Sequence, residues 1–242
     1  MKLAINSVYS DIRIRPEITI DSLEKANKVL KLFPALGAKK MDYDSEIRQP
    51  NILQIILDVS GSTEKLHIKL IEYFNKSLIP VLRKRELHDK ECIRLGCLLL
   101  SDKLIPAWRG YKSLKELDLH PLKSETIDQS GLGCGTALYG AMRTSIFLTA
   151  AVISRMLDEG DGEVPTGTIL ILTDGMNTRP PESASVVKNA LKEIGRIRLR
   201  TRMFCLNSED VRFQEVTKAT GFQSMGPDLA YVTYALRRDY RI

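Results

Sequence analysis

Three stretches of the sequence are apolar at almost every position and end abruptly on oxygen-bearing side chains. In the first, five of the six residues from Ile52 to Leu57 are large and aliphatic. That is the pattern of a strand buried on both faces, as in a parallel sheet covered by helices. Glu91 to Ser101 predicts a second such strand, and the run Thr168-Ile-Leu-Ile-Leu-Thr a third. They end at Asp58, at Ser101-Asp102 and at Asp174. Between them the apolar period becomes helical. Leu66, Ile68, Leu70, Ile71, Phe74, Leu78, Val81 and Leu82 predict a helix within residues 64–85, which Pro80 should kink or shorten. A long helix is expected over 137–157, then helices over 183–194, 208–220 and 228–238. Arg198 to Leu206 reads as a further strand, Phe222 to Ser224 as a short last one, and Leu104 to Trp108 as a short antiparallel edge. Strands alternating with helices over connections of this length imply parallel βαβ units and a three-layer α/β/α domain. Ligands in such folds gather at the C-terminal ends of strands, where the strand order reverses.

Residues 1–50 are less regular, and they are read as an N-terminal extension to a domain spanning 51–242. Ser7 to Ile20 alternates loosely enough for one or two edge strands, with Pro16 barring a central position. Asp21-Ser22 is positioned to cap a short amphipathic helix through Leu32, with Leu23, Ala26, Val29 and Leu30 on one face. Phe33 to Pro50 has the composition of a loop.

Composition adds bounds. A chain of 242 residues accommodates one large α/β domain, and 43% hydrophobic with 27% charged residues is the balance of a globular protein in water. The longest apolar runs are strand-sized, and the first residues lack the apolar core of a secretory signal, so a cytoplasmic address is expected. Cys92, Cys97, Cys134 and Cys205 show no Cys-x-x-Cys pairing and read as reduced, mostly core, residues. The net charge of +6 is compatible with an acidic partner.

The strand ends carry the chemistry. Asp58, Ser60 and Ser62 stand at alternate positions, with Gly61 allowing a turn between them. One carboxylate beside two neutral hydroxyls is a hard, oxygen-only donor set that suits Mg²⁺, Mn²⁺ or Ca²⁺ better than zinc. Taken alone, the same residues fit an N-cap, with Ser62 or Thr63 starting the next helix. Downstream, the loop Gly131 to Thr136 lacks the Gly-x-Gly-x-x-Gly spacing of a nucleotide loop, and it presents Thr136 at a helix start. Asp174 ends the third apolar run as Asp58 ends the first.

Together, Asp58-Val-Ser-Gly-Ser62, Gly135-Thr136-Ala137-Leu138 and Ile169-Leu-Ile-Leu-Thr-Asp174-Gly175 resemble a von Willebrand factor A domain over roughly 51–242. The resemblance implies a Rossmann-like fold with a mostly parallel sheet and one short antiparallel edge strand. It also implies a metal-ion-dependent adhesion site. There the hydroxyls of Ser60, Ser62 and Thr136 would hold Mg²⁺ directly, and Asp58 and Asp174 would act directly or through water. Mn²⁺ and Ca²⁺ are alternatives. One coordination position would remain for an Asp or Glu of a protein partner. Without a signal peptide or flanking disulfides, the chain looks more like intracellular bacterial members. The setting this implies is stress-response or AAA+ ATPase-associated systems, tellurium-resistance-type proteins among them.

The expected function is therefore a metal-dependent protein-interaction module, not an enzyme and not bound to a membrane. His67, His88 and His120 read as surface or packing residues. The rival is a metal-dependent phosphate-ester hydrolase on the same carboxylates, for which Asp102 is the available general base; Asp102 also reads as an ordinary turn residue. Nucleic-acid binding through Arg196, Arg198, Arg200 and Arg202 is disfavoured, because a solvated strand entry produces the same alternation.

Overall fold

The aliphatic run at Ile52 to Leu57 lies at the centre of the sheet. The computed structural model describes residues 17–34, 37, 49–88, 91–119, 121–124, 127, 133, 135–158, 164–174, 178, 182–206, 211–225 and 232. Strand β1 (Gln49–Asp58) pairs in parallel with β2 (Glu91–Leu100) on one side and with β5 (Thr166–Thr173) on the other. Beyond β5 lie β6 (Leu199–Cys205) and the two-residue β7 (Gln223–Ser224), both parallel. Two short antiparallel pieces, β3 (Leu104–Pro106) and β4 (Lys112–Ser113), flank the outer edge of β2. The order is β3-β2-β1-β5-β6-β7, so the sheet is mostly parallel with an antiparallel edge, as the pattern predicts.

Strand periodicity sends alternate residues to opposite faces, and each face meets its own layer of helices. Ile52, Ile56, Leu98, Leu100, Ile169 and Ile171 pack under the helices Leu23–Leu32, Leu138–Asp158, Ala184–Glu193 and Val211–Thr220. Leu53, Ile55, Leu57, Leu95, Leu99, Leu170 and Leu172 pack under residues of the 61–88 segment and of the helix Leu114–Leu119. The result is the Rossmann-like α/β/α arrangement. Gly167 shows how closely the first layer sits. A Cβ there would lie 2.7 Å from Ile153 Cδ1 and 2.8 Å from Leu199 Cδ1. Gly167→Ala should therefore destabilise by about 1–3 kcal/mol through overpacking, read as a lower denaturant midpoint at unchanged m-value.

Two local outcomes differ from the sequence pattern. The segment after β1 opens as a 3₁₀ turn, Gly61–Leu66, before the α-helix His67–Tyr73, and its N-cap is Ser60 rather than Ser62 or Thr63. Pro80 does not end the helical path. A π-helical turn, Phe74–Leu78, lies immediately before Pro80 in a path that continues as the helix Ile79–His88, so the expected distortion takes the form of a π turn that accommodates the missing N–H.

In the N-terminal segment, Ser22 caps the helix Leu23–Leu32 by accepting from Lys25 N–H at 3.2 Å. Its buried Ala26 and Leu30, with Ile20, join the same core as the long helix. Residues 17–20 form no strand: Ile18 N–H reaches the Leu104 carbonyl at 2.8 Å, and Ile20 N–H reaches Thr144 Oγ1 at 3.2 Å. The expected strand over residues 7–16 and nearly all of the terminal helix over 228–238 lie outside the described residues. Cys97 and Cys205 are buried and Cys92 half-buried, all as free thiols. Cys134 and His120 also lie outside the described residues. Among the described residues no helix is long and apolar enough to cross a membrane.

Candidate metal centre

From β1 the chain crosses to β2 on one side of the sheet and later reaches β5 on the other. The ends of β1 and β5 therefore lie side by side at the point of reversal, with Leu57 opposite Leu172. Asp58 and Thr173 meet there. The Thr173 hydroxyl donates to Asp58 Oδ2 at 2.5 Å, while Asp58 Oδ1 accepts from Ser60 N–H at 3.0 Å and from Ser60 Oγ at 2.6 Å. The Thr63 hydroxyl closes the turn from below, within 2.8 Å of the Asp58 carbonyl and 2.9 Å of the Ser60 carbonyl, and His67 Nε2 lies 3.2 Å from it.

Asp58 has no solvent exposure, and Asp174 is also buried. Burial pushes the Asp58 carboxyl above its ordinary value; the hydroxyls of Ser60 and Thr173 oppose the rise, and the neighbouring Asp174 carboxylate adds to it. Two carboxyl groups thus share one buried rim.

Hydroxyl groups line the same turn. Because Ser60 Oγ–H is turned to Asp58, Ser60 Oγ accepts from the Ser62 hydroxyl, 3.1 Å away on the exposed side of the turn, and keeps one lone pair for a further partner. Neighbouring ligands of an octahedral Mg²⁺, at metal–oxygen distances of about 2.0–2.1 Å, lie about 2.9 Å apart. The Ser60–Ser62 separation fits that edge. Among the described residues no three His, Cys, Asp or Glu side chains converge as a zinc-type cluster would. The donors offered here are hydroxyl and carboxylate oxygens.

Thr136, buried at the start of the long helix, is fixed through its backbone. Its N–H donates to Thr178 Oγ1 at 2.8 Å, and its carbonyl accepts from Thr178 N–H at 3.0 Å. Thr178 lies four residues past Asp174, so the loop after β5 and the loop bearing Thr136 are tied together. From the end of β2, the buried Ser101 hydroxyl faces the carbonyls of Gly133 and, at 3.1 Å, Gly135; its own carbonyl accepts from Ala137 N–H at 2.8 Å. Asp102 Oδ1 accepts from Gly133 N–H at 2.8 Å.

Asp58, Ser60 and Ser62 are thus joined by direct bonds, the Asp174 charge acts on the Asp58 carboxyl, and the backbone of Thr136 is tied to Thr178 in the loop that follows Asp174. No pattern of residues marks Thr173, Thr178 or the Ser101 clamp in advance. Thr173 reads as one more β-branched strand residue, and only its place beside Asp174 distinguishes it. Asp102, the base candidate of the hydrolase reading, is engaged in holding a loop.

No protein-family model and no curated protein matches the sequence. Solved structures do match in fold. The human COPII-coat protein Sec24c is 12% identical over 80% of this chain and 33% of its own, with a TM-score of 0.52. The TFIIH p34 N-terminal domain is 10% identical over 79% of this chain and 98% of its own, with a TM-score of 0.51. The pilus adhesin SpaC from Lactobacillus rhamnosus GG is 11% identical over 83% of this chain and 30% of its own, also at 0.51. The chain thus spans about a third of Sec24c and of SpaC. At such identities the likeness establishes a shared Rossmann-like α/β fold, the kind the von Willebrand factor A resemblance implies.

Proposed function

We propose that this protein is a divalent-cation-dependent interaction module that captures a carboxylate of a protein partner at the rim formed by Asp58, Ser60, Ser62, Thr136 and Asp174. The observation that carries this reading is the Ser60 hydroxyl, which gives its proton to a buried carboxylate and stands at octahedral-edge distance from Ser62. A bound Mg²⁺ or Mn²⁺ would supply an electrophilic position for the partner's carboxylate. The chain's own residues do the rest. Asp58, with both oxygens already accepting hydrogen bonds, orients Ser60 and supplies charge without being freely available as a direct ligand. Ser60, Ser62 and Thr136 bind through neutral oxygens that leave the ion's charge largely uncompensated, and Asp174 balances part of it. No catalytic step belongs to this reading, and the setting implied by the resemblance is a cytoplasmic, stress-response or ATPase-associated assembly.

Calorimetric titration of the full chain with MnCl₂ and MgCl₂ tests the metal site. One bound ion is expected, and at a hundredfold excess over Kd the fold should gain about 2.7 kcal/mol. Affinity capture from the native cell in Mg²⁺ or in EDTA, with wild type and Asp174→Ala, tests the partner. The expected signature is a protein retained only by wild type with Mg²⁺. No binding heat and no change in unfolding at millimolar Mg²⁺ and Mn²⁺ would remove the proposal.

A further inference from the structure

We infer that Asp102 is a positioning residue for this metal site, acting through the loop that presents Thr136; the inference rests on the metal-site reading above. The residues that end β2 grip this loop on both sides of Thr136. Asp102 holds Gly133 N–H, Ser101 faces the carbonyls of Gly133 and Gly135, and the Ser101 carbonyl holds Ala137 N–H. Thr178 takes both backbone groups of Thr136 itself. Every one of these bonds goes to main chain, so together they fix where the Thr136 side chain starts and leave its hydroxyl out of the network.

Asp102 and Gly133 are matched by shape as well as by hydrogen bonding. A Cβ on Gly133 would lie 2.6 Å from Asp102 Oδ2 and 2.8 Å from its Cγ, closer than a carbon can approach. The second glycine of Gly131-Leu-Gly-Cys-Gly therefore leaves the space this carboxylate occupies, and a side chain there would push it off the Gly133 N–H. What the carboxylate contributes is an acceptor oxygen at a fixed place, and the consequence reaches the proposed ion only through Thr136.

The test is Mn²⁺ affinity of the full chain, by calorimetry and by the EPR signal of free Mn²⁺, with metal-free thermal unfolding of each variant in parallel. Asp102→Ala should weaken Mn²⁺ binding about ten- to a hundredfold, the usual effect of removing a group that orients a metal ligand. Asp102→Asn keeps an acceptor for Gly133 N–H and should bind close to wild type. Gly133→Ala, which displaces the carboxylate from the loop, should reproduce the loss, and it decides the matter if Asp102→Ala does not fold. In a Thr136→Val background, Asp102→Ala should cost little more, because both changes act through one ligand. Wild-type affinity in Asp102→Ala, an equal loss in Asp102→Asn, or full additivity with Thr136→Val would each overturn the inference while leaving the metal site standing. Absence of Mn²⁺ binding by the wild type would remove both.

Discussion

Asp58→Asn should melt at a higher temperature than wild type when both are metal-free at neutral pH, and it should lose the further rise that Mg²⁺ gives the wild type. The residue is buried and its carboxyl is held above the ordinary value, first by burial and then by Asp174. Its ionised form is therefore a cost to the metal-free fold. The sign follows from proton binding: between the ordinary value of 3.8 and the raised one, the folded protein holds more protons than the unfolded chain. Stability from this group thus falls as pH rises through that window, and the relative advantage of Asp58→Asn should vanish below it. Asparagine keeps an oxygen for Ser60 and an amide for the Thr173 hydroxyl, so the turn survives. With the charge gone, the stabilisation of about 2.7 kcal/mol expected at a hundredfold excess of metal disappears, which is about 5–10 °C in midpoint for a domain of this size. Asp174→Ala should lose the metal response too. Thermal scans with and without Mg²⁺ from pH 3 to pH 8 measure all of this. Loss of the cooperative transition in both variants would make the carboxylates structural and sink the assignment.

What made this site legible in the sequence was a rule of strand geometry. Asp58, Ser60 and Ser62 follow a buried strand at alternate positions, and Asp174 ends another such strand, so their chemistry was exposed by contrast with the apolar residues before them. The sheet was legible for the same reason, because a run buried on both faces leaves little choice of neighbours. The supporting groups were not. Thr173 looks like any strand residue, and its bond to Asp58 spans 115 positions of sequence. Ser101 and Asp102 could be placed near the rim, but their grip on the Thr136 loop depends on backbone atoms whose position no side-chain pattern encodes. Pro80 was legible as a distortion, but its form was not. A proline removes one N–H from the helical ladder, and here the ladder takes it up in a π turn at Phe74–Leu78 and then continues to His88.

The partner's side of the interaction follows from how these donors share charge. Three of the five proposed ligand residues are neutral hydroxyls, and both Asp58 oxygens already accept hydrogen bonds from Ser60 and Thr173. An ion held this way keeps most of its charge for whatever completes its shell. A carboxylate can meet that charge, and an amide of the same shape cannot. One Glu or Asp of the partner should therefore dominate binding, and its change to Gln or Asn should cost on the order of 2–4 kcal/mol, the scale of a hot-spot truncation. That is a loss of about thirty- to a thousandfold in Kd. The chain's net charge of +6 favours an acidic surface around that residue, but as a long-range term it should weaken with salt, whereas the central carboxylate should not. Neutralising the partner's acidic residues one at a time, in excess Mg²⁺ and at two salt concentrations, separates the two contributions. EDTA should reproduce the single large loss. If every position proves equal, or if binding survives chelation, the rim is not the interface, and the N-terminal segment that packs Ile20, Ala26 and Leu30 against the long helix becomes the surface to test.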